Sequence, residues 1–188
     1  MQDLRELMEE IKLRVGNSQP AYRAISDLMV SSAQQNFESE GRPEAWTALK
    51  PATQKLKAKH GWTKILFRSG QFKASITGVG SNTGATIGSV KAYAKIQNDG
   101  GTIAMPARTY KVRHRTDAKG NLLHQKGSDR LLVFAKGSHK RVLERQFKGK
   151  AYDITIPARP FLLFQAGDVW KYTSILNHYW MTGRISRG

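Results

Sequence analysis

The 188 residues contain no cysteine. Disulfides, Cys-ligated zinc, iron–sulfur clusters and thiol nucleophiles are excluded together, so stability has to come from packing or assembly. Acids are also scarce, 14 Asp and Glu against 31 Lys and Arg, giving a formal charge of +17. Eight of those acids fall within residues 1–44, which leaves few carboxylates elsewhere to hold a magnesium ion beside a scissile phosphate. No apolar run approaches the roughly 18 residues a membrane span needs, and mean hydropathy is −0.51; no membrane partner is expected. His60, His114, His124, His139 and His178 form no HExxH pair and have no paired acid within helical reach, so no metal site is expected. Walker-type, GxSxG and kinase signatures are absent, and phosphate cradling and acyl transfer lack their parts. Neither catalytic residues nor a cofactor are expected.

What is present describes a folded, basic protein. Hydrophobic residues make up 39% and aromatics 9%, too much for a disordered basic tail, and the length suits one domain with a modest core. The N-terminal MQDLRELMEEIKLRV carries acids throughout, unlike a secretory signal or a transit peptide, so use in a cytoplasm, or in something assembled there, is expected. Charge is segregated along the chain. Residues 1–44 carry −3, residues 45–73 carry +7 with no acid, and residues 102–150 carry +10 from thirteen basic and three acidic side chains. Such segregation points to a polyanion, or to the oppositely charged segment of a neighbouring subunit. A solvated surface is the plain alternative.

Leu4, Leu7, Met8, Ile11 and Val15 predict a helix over 2–15, and Tyr22, Ile25, Leu28, Met29, Ala33 and Phe37 a second one from Pro20 to about Glu40. Lys50-Pro51 opens a short basic helix that Gly61 closes, with Lys55, Lys57 and Lys59 solvated on different sides. Strands are expected at Gln71–Val79 and Thr86–Val90, flanking a turn at 80–84. Gly78, Gly80 and Gly84 read as turn glycines and not as a dinucleotide fingerprint, because no helix follows them. Tyr93–Gln97 reads as a segment running into a loop at 98–101. Further strands are expected at Tyr110–Arg115, Leu131–Ala135 and Tyr152–Ile156, and a last helix from about Asp168 to Gly183. The fold class is α+β: a small antiparallel sheet packed with N-terminal and C-terminal helices, with a long basic, β-rich excursion.

Alternation in Tyr110–Arg115 would project Lys111, Arg113 and Arg115 from one strand face, a comb able to meet successive phosphates. With Arg130, Lys140 and Arg141 they are the candidate contacts for DNA or for a neighbouring subunit. No RNP, KH or helix-turn-helix signature accompanies them, so any nucleic-acid contact would be sequence-blind.

The ordered set Phe37, Trp46, Leu49, Thr53, Ile65-Leu66, Ser69-Gly70-x-Phe72, Ser75-Ile76, Tyr93-Ala94-x-Ile96-Gln97, Gly100-Gly101 and Ile156-Pro157-Ala158-Arg159-Pro160-Phe161 resembles the virion morphogenesis family of Mu-like tailed bacteriophages. The resemblance spans roughly residues 20–180 and rests on order and spacing. It implies a single domain over 1–188, with an N-terminal helical extension at 1–18 and a basic insertion at 102–150. The implied function is non-enzymatic: a structural virion component for tail completion or the neck, joining head and tail at their junction or at the tail end. The partners implied are further copies in a ring, a hexamer being one number, and adjacent neck, portal-side or tail-tube proteins, with non-specific contact to genomic DNA as a further candidate. Assembly would occur in the bacterial host cytoplasm. Sequence-independent nucleic-acid binding is the alternative reading. From the residues themselves, Trp46, Ile65, Leu66, Phe72 and Ile76 read as core, Gly70 and Gly101 as turn formers, and Pro157 and Pro160 as setting the path into the last helix. Arg159, between the prolines, is expected to pair with an acid or a backbone carbonyl. Ser69, Tyr93, Ala94 and Phe161 complete the structural motif.

Overall fold

The computed structural model describes residues 3–185. The chain divides into two compact units: unit 1 runs to Gly101 and resumes at Ile156, and unit 2 is Thr102–Thr155. Helices and small antiparallel sheets are mixed in the α+β manner expected.

Unit 1 begins with α1 (Leu4–Gly16), whose N-cap Asp3 accepts the Arg5 N–H, and α2 (Gln19–Glu38), which carries Pro20 in its first turn. Two short helices follow, α3 (Pro51–Lys59) and α4 (Gln71–Ala74). Next come the hairpin β1 (Ile76–Gly80) and β2 (Ala85–Ser89), then α5 (Ala94–Asp99) and, after the excursion, α6 (Ala166–Thr182). The hairpin pairs antiparallel with Ile76 opposite Ser89 and Gly80 opposite Ala85, and packs along α2. It can do so because β1 is stripped of side chains where it meets the helix. A Cβ on Gly80 would stand 2.3 Å from the Arg23 nitrogen, and one on Gly78 3.0 Å from the Ser26 carbonyl.

Two apolar clusters hold the unit. Ala33, Phe37, Trp46, Phe72, Ile76, Ala94 and Phe161 form the first, with Ile65, Leu66 and Ile87 packed against it. Phe37 sits at its centre, 5.6 Å from Trp46 and 5.2 Å from both Phe72 and Phe161, in edge-on or tilted geometries that suit ring quadrupoles. Ala21 and Ile25 of α2 meet Ile175 and Tyr179 of α6 in the second. The Tyr179 hydroxyl donates to the Asn17 carbonyl at 3.0 Å, and Arg14 donates from α1 to the carbonyls of Trp180 and Met181. These bonds tie α1 and the α1–α2 junction to the C-terminal end of α6.

Unit 2 is built from β3 (Gly101–Met105), β4 (Arg108–Arg115), β5 (Val142–Gly149) and β6 (Tyr152–Ile156). Strand β3 pairs with β6, and β4 pairs antiparallel with β5 over eight residues, from Arg108 opposite Gly149 to Arg115 opposite Val142. Among the described residues of this unit, His114 alone is buried, with Phe134 stacked on it at 5.5 Å.

Several elements differ from the sequence reading. Gln71–Ala74 is helical and the strand starts only at Ile76, because Gly70 adopts a left-handed conformation (φ 75°) and its carbonyl accepts the Ala74 N–H, turning Phe72 into the core. Tyr93–Gln97 is largely helix α5, which continues through the predicted loop to Asp99. Leu131–Ala135 makes isolated bridges, Leu132 with His124 and Phe134 with His114, instead of a strand. Strands β3 and β5 lie where none was expected. Only Gly84 of the three glycines belongs to the turn; Gly78 and Gly80 serve the approach to α2. Lys57 is not solvated: its ammonium donates to the carbonyls of Lys64 and Phe67 at 2.7 and 2.6 Å, and desolvation lowers its pKa. Gln2, where the reading of the first helix began, lies outside the described residues, as do Met1 and residues 186–188.

Candidate functional site

The separated motifs of unit 1 meet around one extended segment, Ile156–Leu162. Two prolines deprive it of donors and keep it out of a ladder, so its remaining polar groups are satisfied from neighbouring elements. The Gln97 carbonyl at the end of α5 accepts the Arg159 N–H at 2.9 Å, and the Asn98 carboxamide oxygen accepts both the Phe161 and Leu162 N–H groups at 3.1 Å. On the other side Asn36 of α2, fully buried, donates to the Phe161 and Leu163 carbonyls at 2.9 and 2.8 Å. The Trp46 indole N–H reaches the Pro160 carbonyl at 3.4 Å. Gly100 passes so close that a Cβ there would lie 2.7 Å from the Ala158 nitrogen. Phe161, clamped from both sides, has no exposed surface.

Arg159 is buried, donates to the Thr47 carbonyl at 3.2 Å, and leaves its Nε without a partner among the described residues. Of the two partner types expected, the backbone carbonyl is the one found. Burial lowers its pKa. Pro157 and Pro160 are half-buried, Ala94 is buried, and Gly101 takes a positive φ of 153°. Tyr93 remains half exposed, its ring 4.9 Å from that of Phe72.

Ser69 and Tyr93 line a cleft of about 490 Å³ with Leu66, Arg68, Gln71 and Gln97. The Gln97 side-chain oxygen is buried and has no donor among the described residues. Hydroxyl, amide and guanidinium groups can hydrogen-bond, but the lining holds no histidine or carboxylate to activate Ser69. Among the described residues no group of three or more His, Asp or Glu is placed to hold a metal, and no helix is long and apolar enough to cross a membrane.

A polar network that the sequence reading missed braces the clamp. Arg42 donates to the Asn36 side chain at 2.8 Å, to Gln35 at 2.8 Å, and to the Ser32 carbonyl and hydroxyl at 2.8 and 2.9 Å. Ser32 in turn donates to Asp168 at 2.5 Å, and Asp168 caps α6 by accepting the Gln165 N–H at 3.0 Å. Burial works against the Asp168 carboxylate, but the Ser32 and Gln165 donors and the charges of Arg42 and Lys171 outweigh it and hold its pKa below the usual aspartate range. Burial first, and then the Asp168 charge, push the Tyr172 hydroxyl up to about 12. Ser-x-x-x-Asn within α2 gave no sequence signal, since apart from Arg42 its partners Asp168, Phe161 and Leu163 lie more than a hundred residues away.

In unit 2 the expected comb forms. Lys111, Arg113 and Arg115 share one face of β4, opposite Gln146, Glu144 and Val142 of β5. Lys111 pairs with Glu144 at 3.4 Å, whereas Arg113, Arg115, Arg130, Lys140 and Arg141 form no ion pair among the described residues. Arg130 sits in a turn whose N–H groups are collected by Ser128, and Lys140 and Arg141 lead into β5. The opposite face of the hairpin carries Tyr110, Val112, Leu143 and Phe147, and Tyr110, Leu143 and Phe147 are each more than a third exposed.

These features coincide with a known family. The family model described as "Phage virion morphogenesis family" matches residues 1–180. The chain is 32% identical over 117 residues, 59% of its own length and 78% of the relative's, to the Mu-like prophage FluMu G protein 2 of Haemophilus influenzae. No solved structure matches it significantly. The matched residues include the clamped Ile156–Leu162 segment and the elements that hold it, and this chain belongs to the phage virion morphogenesis family.

Proposed function

We propose that this chain is a non-enzymatic tail-completion or neck component that joins head and tail as a homo-oligomeric ring, without a cofactor, at the head–tail junction or tail end. It would be assembled in the host cytoplasm and seated against neck, portal-side or tail-tube proteins. The observation that carries this reading is unit 2: of its described residues one is buried, while Ile103, Tyr110, Leu131, Phe134, Phe147 and Tyr152 are more than a third exposed. A segment of this size that leaves its aromatics in water is completed by contact with something else. Identical subunits closing a ring supply that contact repeatedly, and the acidic residues 1–44 offer the complementary charge. Imaging particles made by a phage lacking the gene tests the role. Filled heads beside separate, unjoined tails are expected; absence of capsids would assign the chain to head assembly instead.

The unpaired charges of Arg113 and Arg115 favour a second reading, sequence-independent contact with DNA. A salt series on random duplex decides it: a phosphate binder loses affinity with a log–log slope of about −0.9 per phosphate contacted. Flat or absent binding removes the reading.

A further inference from the structure

Two exposed apolar surfaces lie on this one chain, one at an acidic helix end and one in a basic unit, and we infer that they are the two halves of one contact: α1 of one subunit lies along the aromatic face of the β4–β5 hairpin of the next copy. The inference rests on the ring reading above and specifies its interface.

The helix is the first half. α1 has no fully buried residue: Leu7 and Ile11 are half-buried, and Arg14 reaches the carbonyls at the end of α6. Its first two turns present Leu4 and Met8, 72% and 61% exposed, on the face that Ile11 and Val15 continue. Asp3, Glu6 and Glu9 lie at that end of the helix against Arg5, with Glu9 also paired to Lys12 at 3.7 Å. Exposed leucine and methionine at this spacing contribute nothing to the isolated subunit.

The hairpin is the second half. Strand parity and register place Tyr110, Val112, Leu143 and Phe147 on one face with Arg145, next to Phe134 over His114. Unit 2 carries thirteen basic and four acidic residues. Apolar surface therefore meets apolar surface, and the acidic helix end meets a basic rim. The lengths agree as well: thirteen helical residues extend about 20 Å, and eight strand residues about 27 Å. Because the two surfaces differ, the contact is heterologous and repeats head to tail, as a closed ring requires. The opposite face of the hairpin, with Lys111, Arg113 and Arg115, stays open.

Mixing two full-length variants tests this. Leu4→Ser/Met8→Ser removes the helix surface and Tyr110→Ser/Phe147→Ser removes the hairpin surface; neither touches the buried clusters, so thermal unfolding of each should match the unmodified chain. In sedimentation velocity each variant alone should weaken self-association about thirtyfold or more. Mixed, they retain one intact helix and one intact hairpin between them, so a one-to-one dimer that grows no further is expected. If both variants assemble like the unmodified chain, this pairing is overturned and the ring reading stands. If only the hairpin variant loses assembly, the hairpins pack on one another and the helix is not their partner; if each fails alone and the mixture forms nothing, the two surfaces do not meet and the pairing is overturned. An unmodified chain that stays monomeric at every concentration overturns the pairing and the ring together.

Discussion

Units 1 and 2 spend similar side chains in opposite ways. Unit 1 turns Phe37, Trp46, Phe72 and Phe161 inward around α2, and meets the carbonyls of Pro160, Phe161 and Leu163 with side-chain donors from Trp46 and Asn36. In unit 2, Tyr110, Phe134, Phe147 and Tyr152 stay on the surface, and order comes from strand pairing and short turns such as Asp117 receiving the N–H groups of Lys119 and Asn121. Burial of apolar area stabilises a chain by about 25 cal/mol per Å² removed from water. Unit 1 realises that gain within the subunit. Unit 2 leaves much of that area in water, and in the ring proposed above the corresponding gain would come only on joining a neighbour.

Substitutions can break this contrast. The largest effect is expected at Phe161→Ala, a loss of about 3–5 kcal/mol from a fully buried ring, read by denaturant unfolding; Phe147→Ala in unit 2 should change subunit stability by under about 0.5 kcal/mol while weakening assembly. Next comes Gly80→Ala, where the added Cβ meets the α2 backbone at 2.3 Å and costs about 1–3 kcal/mol by overpacking. Gly137→Ala, with nothing within 4 Å, should be near neutral. A unit 2 glycine that proved as costly would show an interior there after all. Asn36→Ala leaves two buried carbonyls and Arg42 short of a partner, for about 2 kcal/mol.

The smallest effect is Asp168→Asn, about 1 kcal/mol at neutral pH after allowance for solvent screening. Its pH dependence is diagnostic. The folded pKa lies below the ordinary aspartate value, so the carboxylate stabilises fully above about pH 4 and the benefit fades as pH falls through the lowered value. Thermal unfolding of the variant and the parent should therefore converge in acid. A constant difference across pH would mean that the carboxylate charge contributes nothing and only the cap geometry matters.

Much of unit 1 was legible in the sequence because its signals are local. The 3.6-residue stripes of α1, α2 and α6 and the Gly-rich turn before β2 announce themselves within a dozen residues. Phe72 and Tyr93 misled for the same reason: both stand in β-prone runs, yet a left-handed Gly70 and the packing of Ala94 impose helical turns. The network of Asn36, Arg42, Ser32 and Asp168 stayed hidden because its members are common surface residues whose partners are fixed only by the fold. In unit 2 the comb of Lys111, Arg113 and Arg115 was readable from alternation alone. Strand β5 was not, since Val142–Gly149 carries charges on both faces, Arg145 on one and Glu144 and Lys148 on the other, and takes its register from β4.

The close passage of Gly100 against Ala158 has one more consequence. The polypeptide departs from unit 1 and returns to it at neighbouring points, so whatever lies between is topologically a cassette. Its length and chemistry can change without stretching the host scaffold, because closing a longer loop between fixed, adjacent ends adds only about 0.6 kcal/mol for each doubling. The segment between those ends can therefore change in length and sequence while the rest of the fold is kept.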